Sequence, residues 1–284
     1  MIVHRTSEAL KTAIESARQL GHTVGFVPTM GALHQGHISL METAKLHSGY
    51  TVCSIFINPM QFNDQNDFNK YPVTTESDIT MLEKSQADTL FLPLVSEVYP
   101  DGTNQLEHYD LGYLETIFEG KYRPGHFQGV SQVMSRLLKI VQPDHLFMGQ
   151  KDYQQCMVVK KLLELIGMHE KVRLHVCPTV REAGGLAMSS RNLRLSAEGR
   201  ERAGIISTAL EFTKEHLQPG DLSGQMAKGR QMLTDKNIEV DYFEIADADT
   251  LLPVSDWNGK QRLVTVVAGF VDGVRLIDNM ILNP

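Results

Sequence analysis

Two histidines stand three positions apart around a glycine in "PTMGALHQGH", residues 28–37, directly after the apolar run "HTVGFV". Imidazoles at that spacing on the first turn of a helix share one face and can aim their donors at a single phosphate. Gly31 and Gly36 carry no Cβ, so the backbone there can turn sharply and a flat base or phosphate can come close. The chemistry this points to is neutralisation of charge growing on a phosphate, with His34 and His37 as the donors. Loop capping by either histidine is the plainer alternative. A zinc site is a third, weakened because H-x-x-H has no recognisable third ligand nearby. Neither G-x-x-x-x-G-K-S/T nor G-x-G-x-x-G occurs, so a bound nucleotide must be held some other way.

Three further stretches place polar groups where strand-like runs end. In "FMGQKDYQQ", residues 147–155, Lys151 offers a point charge for phosphate, Asp152 an acid at a helix start, and Gln155 a neutral donor and acceptor. "AMSSRN", residues 187–192, offers two hydroxyls and a guanidinium, which suit a pyrophosphate-like anion or, more plainly, a helix cap. In "INPMQF", residues 57–62, Pro59 stops a ladder, Asn58 and Gln61 can hydrogen-bond a small polar substrate, and Met60 and Phe62 supply apolar walls. "EGKYRPGHFQGV", residues 119–130, reads as a Gly-rich connection carrying Arg123 and His126, with a lid as the alternative.

These motifs need a scaffold that brings strand ends together. From residue 23 short apolar runs ("TVGFV", "TVCSIFI", "TLFLPL") alternate with helical periods ("ISLMETAKLH", "ESDITMLEKS"), the pattern of βαβ units in a parallel sheet. Val130, Val133, Met134, Leu137, Leu138 and Val141 mark a helix before "HLFMG", and "QQCMVVKKLLELIG" another before "VRLHVC". Beyond about residue 178 two helical stretches, "SAEGRERAGIISTALEFTKEHL" and "LSGQMAKGRQMLTD", precede strands "VDYFEIA" and "RLVTVVAGFVDGVRLID" joined at Asp272-Gly273. "QPGD" at 218–221 reads as the turn between those helices, and the N-terminus as running straight into a helix. The expectation is an α/β chain: a parallel-sheet domain over 1–180 and a smaller α+β domain over 181–284.

With 27 basic against 34 acidic residues and no basic run, nothing here tracks a phosphate backbone, which argues against nucleic acid as a partner. The three cysteines form no CxxC pair, so neither a disulfide framework nor a thiolate zinc site is supported and a reducing cytoplasm fits best. No secretory leader pattern and no membrane-spanning run is visible, so the chain is expected to be neither exported nor membrane-bound.

Together, "PTMGALHQGH", "NPMQF", "RPGHFQGV", "GQKDYQQ" and "AMSSRN", in this order, resemble the pantothenate synthetase (pantoate-beta-alanine ligase) family of the HxGH nucleotidyltransferases, and the resemblance runs over essentially the whole chain. It implies a Rossmann-like N-terminal domain, a hinged C-terminal cover, a cytoplasmic homodimer, and magnesium accompanying ATP, with the magnesium ligands left open. The implied reaction joins pantoate to beta-alanine through a pantoyl adenylate, releasing pyrophosphate and then AMP. By motif, His37 is the proton donor, with His34 and Lys151 as its catalytic companions. Met30, Gly31, Ala32, Leu33, His34, Gln35, Gly36 and His37 line ATP, together with Gly149, Gln150, Lys151, Asp152, Val180, Met188, Ser189, Ser190 and Arg191. Gln61 and Gln155 take pantoate, Gln61 later beta-alanine. The family often has an acid where this chain has Gln150 and Gly184, and activity is expected to survive both changes. Two rival functions stand beside this one. A transferase acting on a phosphorylated acceptor would want more cations than "NPMQF" and "DYQQ" supply. A regulatory module that only holds ATP would have no use for an amide-lined pocket.

Overall fold

A computed structural model of the chain describes residues 1–62, 65–104 and 106–283. Two compact units divide it, Met1–Gly149 with Gln154–Pro178, and Gln150–Tyr153 with Thr179–Pro284.

The first unit runs β1 (Ile2–His4), α1 (Ser7–Gln19), β2 (Val24–Thr29), α2 (Gln35–His47), β3 (Tyr50–Ile55), α3 (Gln65–Asn69), α4 (Thr75–Lys84), β4 (Thr89–Phe91), α5 (Val95–Val98), α6 (Phe118–Tyr122), α7 (His126–Val141), β5 (His145–Gly149), α8 (Tyr153–Leu165) and β6 (Arg173–Cys177). Among the described residues these strands form one six-stranded sheet in the order β1-β4-β3-β2-β5-β6, parallel throughout. Strands of such a sheet are covered on both faces and therefore read as continuous apolar runs. Val24, Phe26 and Val27 of β2 and Val52 and Cys53 of β3 are all fully buried. Leu40, Met41 and Ala44 of α2 join Val27, Cys53, Leu90 and Phe147 in one core cluster. Each of the large ones, Leu40, Met41, Val27, Leu90 and Phe147, contributes about 1.5–3 kcal/mol when buried.

From β2 the chain winds outward through β3 and β4, then returns to β5 on the other side of β2 and continues to β6. The order reverses between β2 and β5, the place where doubly wound sheets bind ligands. The β2–β5 ladder covers Gly25 and Phe26 and stops short of Pro28, which has no N–H to donate. The C-terminal ends of the two strands are therefore left unladdered beside one another.

Two expectations need correction in this first unit. The chain does not enter a helix directly, since Ile2–His4 adds a parallel edge strand to β4. Nor is 119–130 a Gly-rich connection, because α6 and the first turns of α7 occupy most of it.

The second unit holds α9 (Ala197–Ala203), α10 (Ile205–Glu215), β7 (Gly220–Asp221), α11 (Ser223–Thr234), β8 (Glu239–Asp247), β9 (Asp256–Trp257), β10 (Leu263–Val271) and β11 (Val274–Ile281). An antiparallel sheet ordered β11-β10-β8 packs Phe243 and Val267 against Ile206, Leu210 and Leu233 of the helices. The β10–β11 turn has Asp272 at φ 50° and Gly273 at φ 74°, the double left-handed pair that two-residue hairpins favour. The long helical pattern from Ser196 breaks in two at Gly204, where a Cβ would fall 2.5 Å from the carbonyl oxygen of Gly184. "QPGD" is more than a turn, since Gly220–Asp221 pairs with Asp256–Trp257.

Candidate active site

In the first unit the turn after β2 is built around Asp78, a carboxylate 1% exposed. Its two oxygens accept the backbone N–H groups of Ala32 (2.9 Å) and Leu33 (2.8 Å), and Thr74 Oγ1 donates to it as well (3.0 Å). Gly31 N–H goes to Thr29 Oγ1. Gly31 at φ 81° and Ala32 at φ 50° make the sharp reversal, and Leu33 turns its side chain into the core. The N–H groups of this loop are thus spent internally. What helix geometry leaves for an anion are the amides of Gln35 and Gly36 at the start of α2. Asn in place of Asp78 sets an NH2 against a backbone N–H, so Asp78→Asn is expected to cost about 1–3 kcal/mol in urea unfolding. An unchanged midpoint would show that the carboxylate does not hold the loop.

At the N-cap of α2 the rings of His34 and His37 lie 4.0 Å apart, both half-buried. His37 Nδ1 accepts the His34 backbone N–H at 3.3 Å. In the neutral ring this puts the proton on Nε2, as a donor.

The turn after β3 is the second wall. Gln61, 9% exposed, donates from Nε2 to the Sδ of Met30 at 2.9 Å, so the first residue of the histidine turn touches the Gln61 amide. Asn58, read from sequence as a substrate ligand, is fully buried. Its Oδ1 accepts from Tyr99 Oη (2.9 Å) and Met60 N (3.3 Å), and its Nδ2 donates to Gly129 O (3.0 Å) and Gln61 Oε1 (3.3 Å). That side chain supports Gln61 and has nothing left over for a substrate. His126 Nδ1 reaches the backbone carbonyl of Gln61 at 2.8 Å, and Arg123 lies at its Nε2. Asp78, Tyr99 and this use of His126 were invisible in the motifs. Gln155 sits half-buried on the first turn of α8, whereas its neighbour Gln154 is buried and holds Glu119 N, Leu114 O and Ile117 O. Gly149 closes β5, and a Cβ there would meet nothing within 4 Å.

In the second unit the turn Gln150–Asp152 is fastened by Asn279 of β11, whose Nδ2 donates to the carbonyls of Gln150 (2.7 Å) and Lys151 (2.9 Å). Gln150 Nε2 donates to Asn279 Oδ1 at 3.2 Å, a bond that a glutamate could not make. The Lys151 ammonium lies 3.6 Å from Asp152. Beside Asn279, Asp278 accepts two bonds from Arg181 (2.5 and 3.1 Å). Burial pushes the Asp278 carboxyl up, and Arg181 acts against that. Val180 and Met188 are joined by a backbone bond of 3.0 Å, with Arg181 and Ala187 bridged beside them. Ser189 Oγ caps the following turn by accepting Arg191 N–H, which leaves its own proton for a further acceptor. Ser190 is buried and Arg191 half-buried. A Cβ at Gly184 would meet nothing within 4 Å, so an acid is sterically tolerated there.

Among the described residues no group of three or more His, Cys, Asp or Glu could hold a metal ion, and no helix is long and apolar enough to cross a membrane. A family model described as pantoate-beta-alanine ligase matches residues 2–281. The chain is 42% identical over 285 residues to a pantothenate synthetase of Cytophaga hutchinsonii, covering 99% of both chains. A counterpart from Acetivibrio thermocellus is 40% identical over 286 residues, covering 100% of both. Among solved structures, a pantothenate synthetase from Thermus thermophilus superposes with a TM-score of 0.87 at 38% identity, covering 100% of both chains. A pantoate-beta-alanine ligase from Francisella tularensis, solved in complex with "Beta-gamma ATP" and beta-alanine, gives 0.82 at 34%, covering 99% of this chain and 98% of that one.

Proposed function

The chain belongs to the pantoate-beta-alanine ligase family, and from that premise we infer which of its groups carry the reaction. It is an ATP-dependent ligase that condenses pantoate with beta-alanine to give pantothenate. The pantoate carboxylate attacks the α-phosphorus of ATP and pyrophosphate leaves. The beta-alanine amine then attacks the acyl carbon of the adenylate and AMP leaves with the C–O bond electrons.

The observation that carries the assignment of roles is the double contact of one turn. Met30–His37 has the histidine pair at its helix end and touches Gln61 through Met30 Sδ at 2.9 Å. An acyl adenylate has to be gripped at an anionic phosphate and at an uncharged acid-derived group only a few bonds apart, and this turn offers both kinds of contact. His34 and His37, with the α2 amides, meet the phosphates, and the Nε2 proton of His37 is directed at charge developing there. Donors of that kind act because the transition state is more anionic at those oxygens than the ground state. Gln61 and Gln155 hold pantoate, and Gln61 then holds beta-alanine. Neutral amides suit that job, since the attacking amine must be uncharged. In the first unit Met30 to Gly36 and Gly149 are the positions that the family's motifs give to the nucleotide; in the second unit those positions are Gln150 to Asp152, Val180 and Met188, with Lys151, Ser189, Ser190 and Arg191 as its phosphate donors.

Magnesium fits what is present. It is held chiefly by phosphate oxygens and water with one or two carboxylates, and needs no preformed cage. Asp152, half-exposed beside Lys151, is the carboxylate that would meet it, and the ion would neutralise phosphate charge. The three cysteines are buried thiols, which suits a reducing cytoplasm, and the family resemblance suits a homodimer, to be checked by light scattering.

The deciding experiment is ATP-pyrophosphate exchange with pantoate present and beta-alanine omitted. Pantoate-dependent exchange is expected. Exchange without pantoate, or none from folded protein that binds ATP, would overturn the pantoyl-adenylate mechanism given above.

A further inference from the structure

Tyr99 lies outside every motif considered so far, yet it is 1% exposed and ends a chain of buried polar contacts that begins at Gln61. The guanidinium of Arg136 sits 4.8 Å over its ring. The Tyr99 hydroxyl donates to Asn58 Oδ1 at 2.9 Å. An amide whose oxygen is fixed in this way has its NH2 fixed on the other side, and Asn58 Nδ2 accordingly donates to Gln61 Oε1 at 3.3 Å. The Gln61 oxygen is thereby committed inward, and its NH2 is the end left towards Met30 and the substrate.

We propose that Tyr99 is a positioning residue for the pantoate site, its hydroxyl setting the orientation of the Gln61 amide through Asn58. This rests on the reading of Gln61 as a pantoate ligand. Without the hydroxyl, the Asn58 oxygen keeps only the weaker Met60 N–H at 3.3 Å, and the amide, still tied to the Gly129 carbonyl at 3.0 Å, can rock about that bond and loosen its hold on Gln61 Oε1. Gln61 would then populate two amide orientations, one of which presents an acceptor where pantoate needs a donor. Burial pushes the Tyr99 phenol up to about 12, so the group stays a donor at any working pH.

The test is a double-mutant cycle of Tyr99→Phe and Gln61→Ala, read by KM for pantoate, KM for ATP and kcat in the full chain. Phenylalanine keeps the ring under Arg136 and removes one hydrogen bond. Tyr99→Phe is expected to raise the pantoate KM about tenfold, with the ATP KM within about twofold, equally from about pH 6 to about 9. In the Gln61→Ala background the same change is expected to add nothing. A merely structural tyrosine would instead lower thermal stability and shift both KM values together. If Gln61→Ala leaves the pantoate KM unchanged, the reading of the site fails, and this proposal with it. If Gln61→Ala raises it and Tyr99→Phe does not, or if the two effects add, only the role of Tyr99 is overturned. Should Tyr99→Phe not fold, Asn58→Ala removes the link between the Tyr99 hydroxyl and Gln61 without burying a charge, and the same pantoate-selective defect is expected. A normal pantoate KM in that variant overturns the proposal.

Discussion

Alanine at His37 is expected to lower pantoate-dependent ATP-pyrophosphate exchange by about 10²- to 10³-fold, the usual loss for one preorganised donor at a developing anion. The ring is held in part by its Nδ1 contact with the His34 backbone N–H, and alanine removes the Nε2 donor together with that weak cap bond of 3.3 Å and the ring contact with His34. The cap accounts for about 1 kcal/mol of stability at most. Thermal unfolding should therefore move by only a few degrees while exchange collapses. Equilibrium ATP affinity should fall far less than exchange, because the donor is asked to meet charge that is larger in the transition state. Exchange within about threefold of the parent enzyme would remove His37 from the chemistry and leave it as a capping residue. His34→Ala is the useful comparison, since it keeps the backbone N–H that orients His37.

What the sequence made legible was what is local. Buried parallel strands appear as apolar runs because nothing polar fits on either face, and Asp272-Gly273 appears as a hairpin because few other pairs tolerate two left-handed residues. The histidine turn was legible because spacing of three on a helix start has a direct geometric meaning. The edge strand Ile2–His4 was not, being three residues long with Ile2 60% exposed, too short to show a period against the helix that follows. The support of the site was illegible for a different reason. Asp78 reaches Ala32 across 46 residues, Tyr99 reaches Asn58 across 41, and His126 reaches Gln61 across 65. A buried polar side chain shows its purpose only through its partner, and the partner is chosen by topology. Asn58 shows the cost of reading such residues locally: its motif suggested a substrate ligand, and the fold spends its whole amide on Tyr99, Met60, Gly129 and Gln61.

Gly129→Ala is expected to destabilise the protein by about 3 kcal/mol, at the upper end for an added methyl group. The sign runs against helix propensity, by which alanine for glycine inside a helix such as α7 gains about 1 kcal/mol. Packing decides the issue here. A Cβ at residue 129 would lie 2.2 Å from the Met60 carbonyl oxygen, 2.5 Å from its carbon and 2.6 Å from Gln61 Cα. All three are backbone atoms of the turn Pro59–Gln61, so no side-chain rotation can make room. Nor can the turn simply slide away. Asn58 Nδ2 ties it to the Gly129 carbonyl at 3.0 Å, and His126 ties it to the same helix through Gln61 O at 2.8 Å. Relieving the clash must stretch one of these bonds and carry Gln61 with it. The pantoate KM should therefore rise by tenfold or more, about 1.4 kcal/mol, while the ATP KM changes little. A more stable Gly129→Ala protein would mean that the helix and the turn stand farther apart than the structure places them. An unstable protein with normal pantoate binding would separate the packing of α7 from the placement of Gln61.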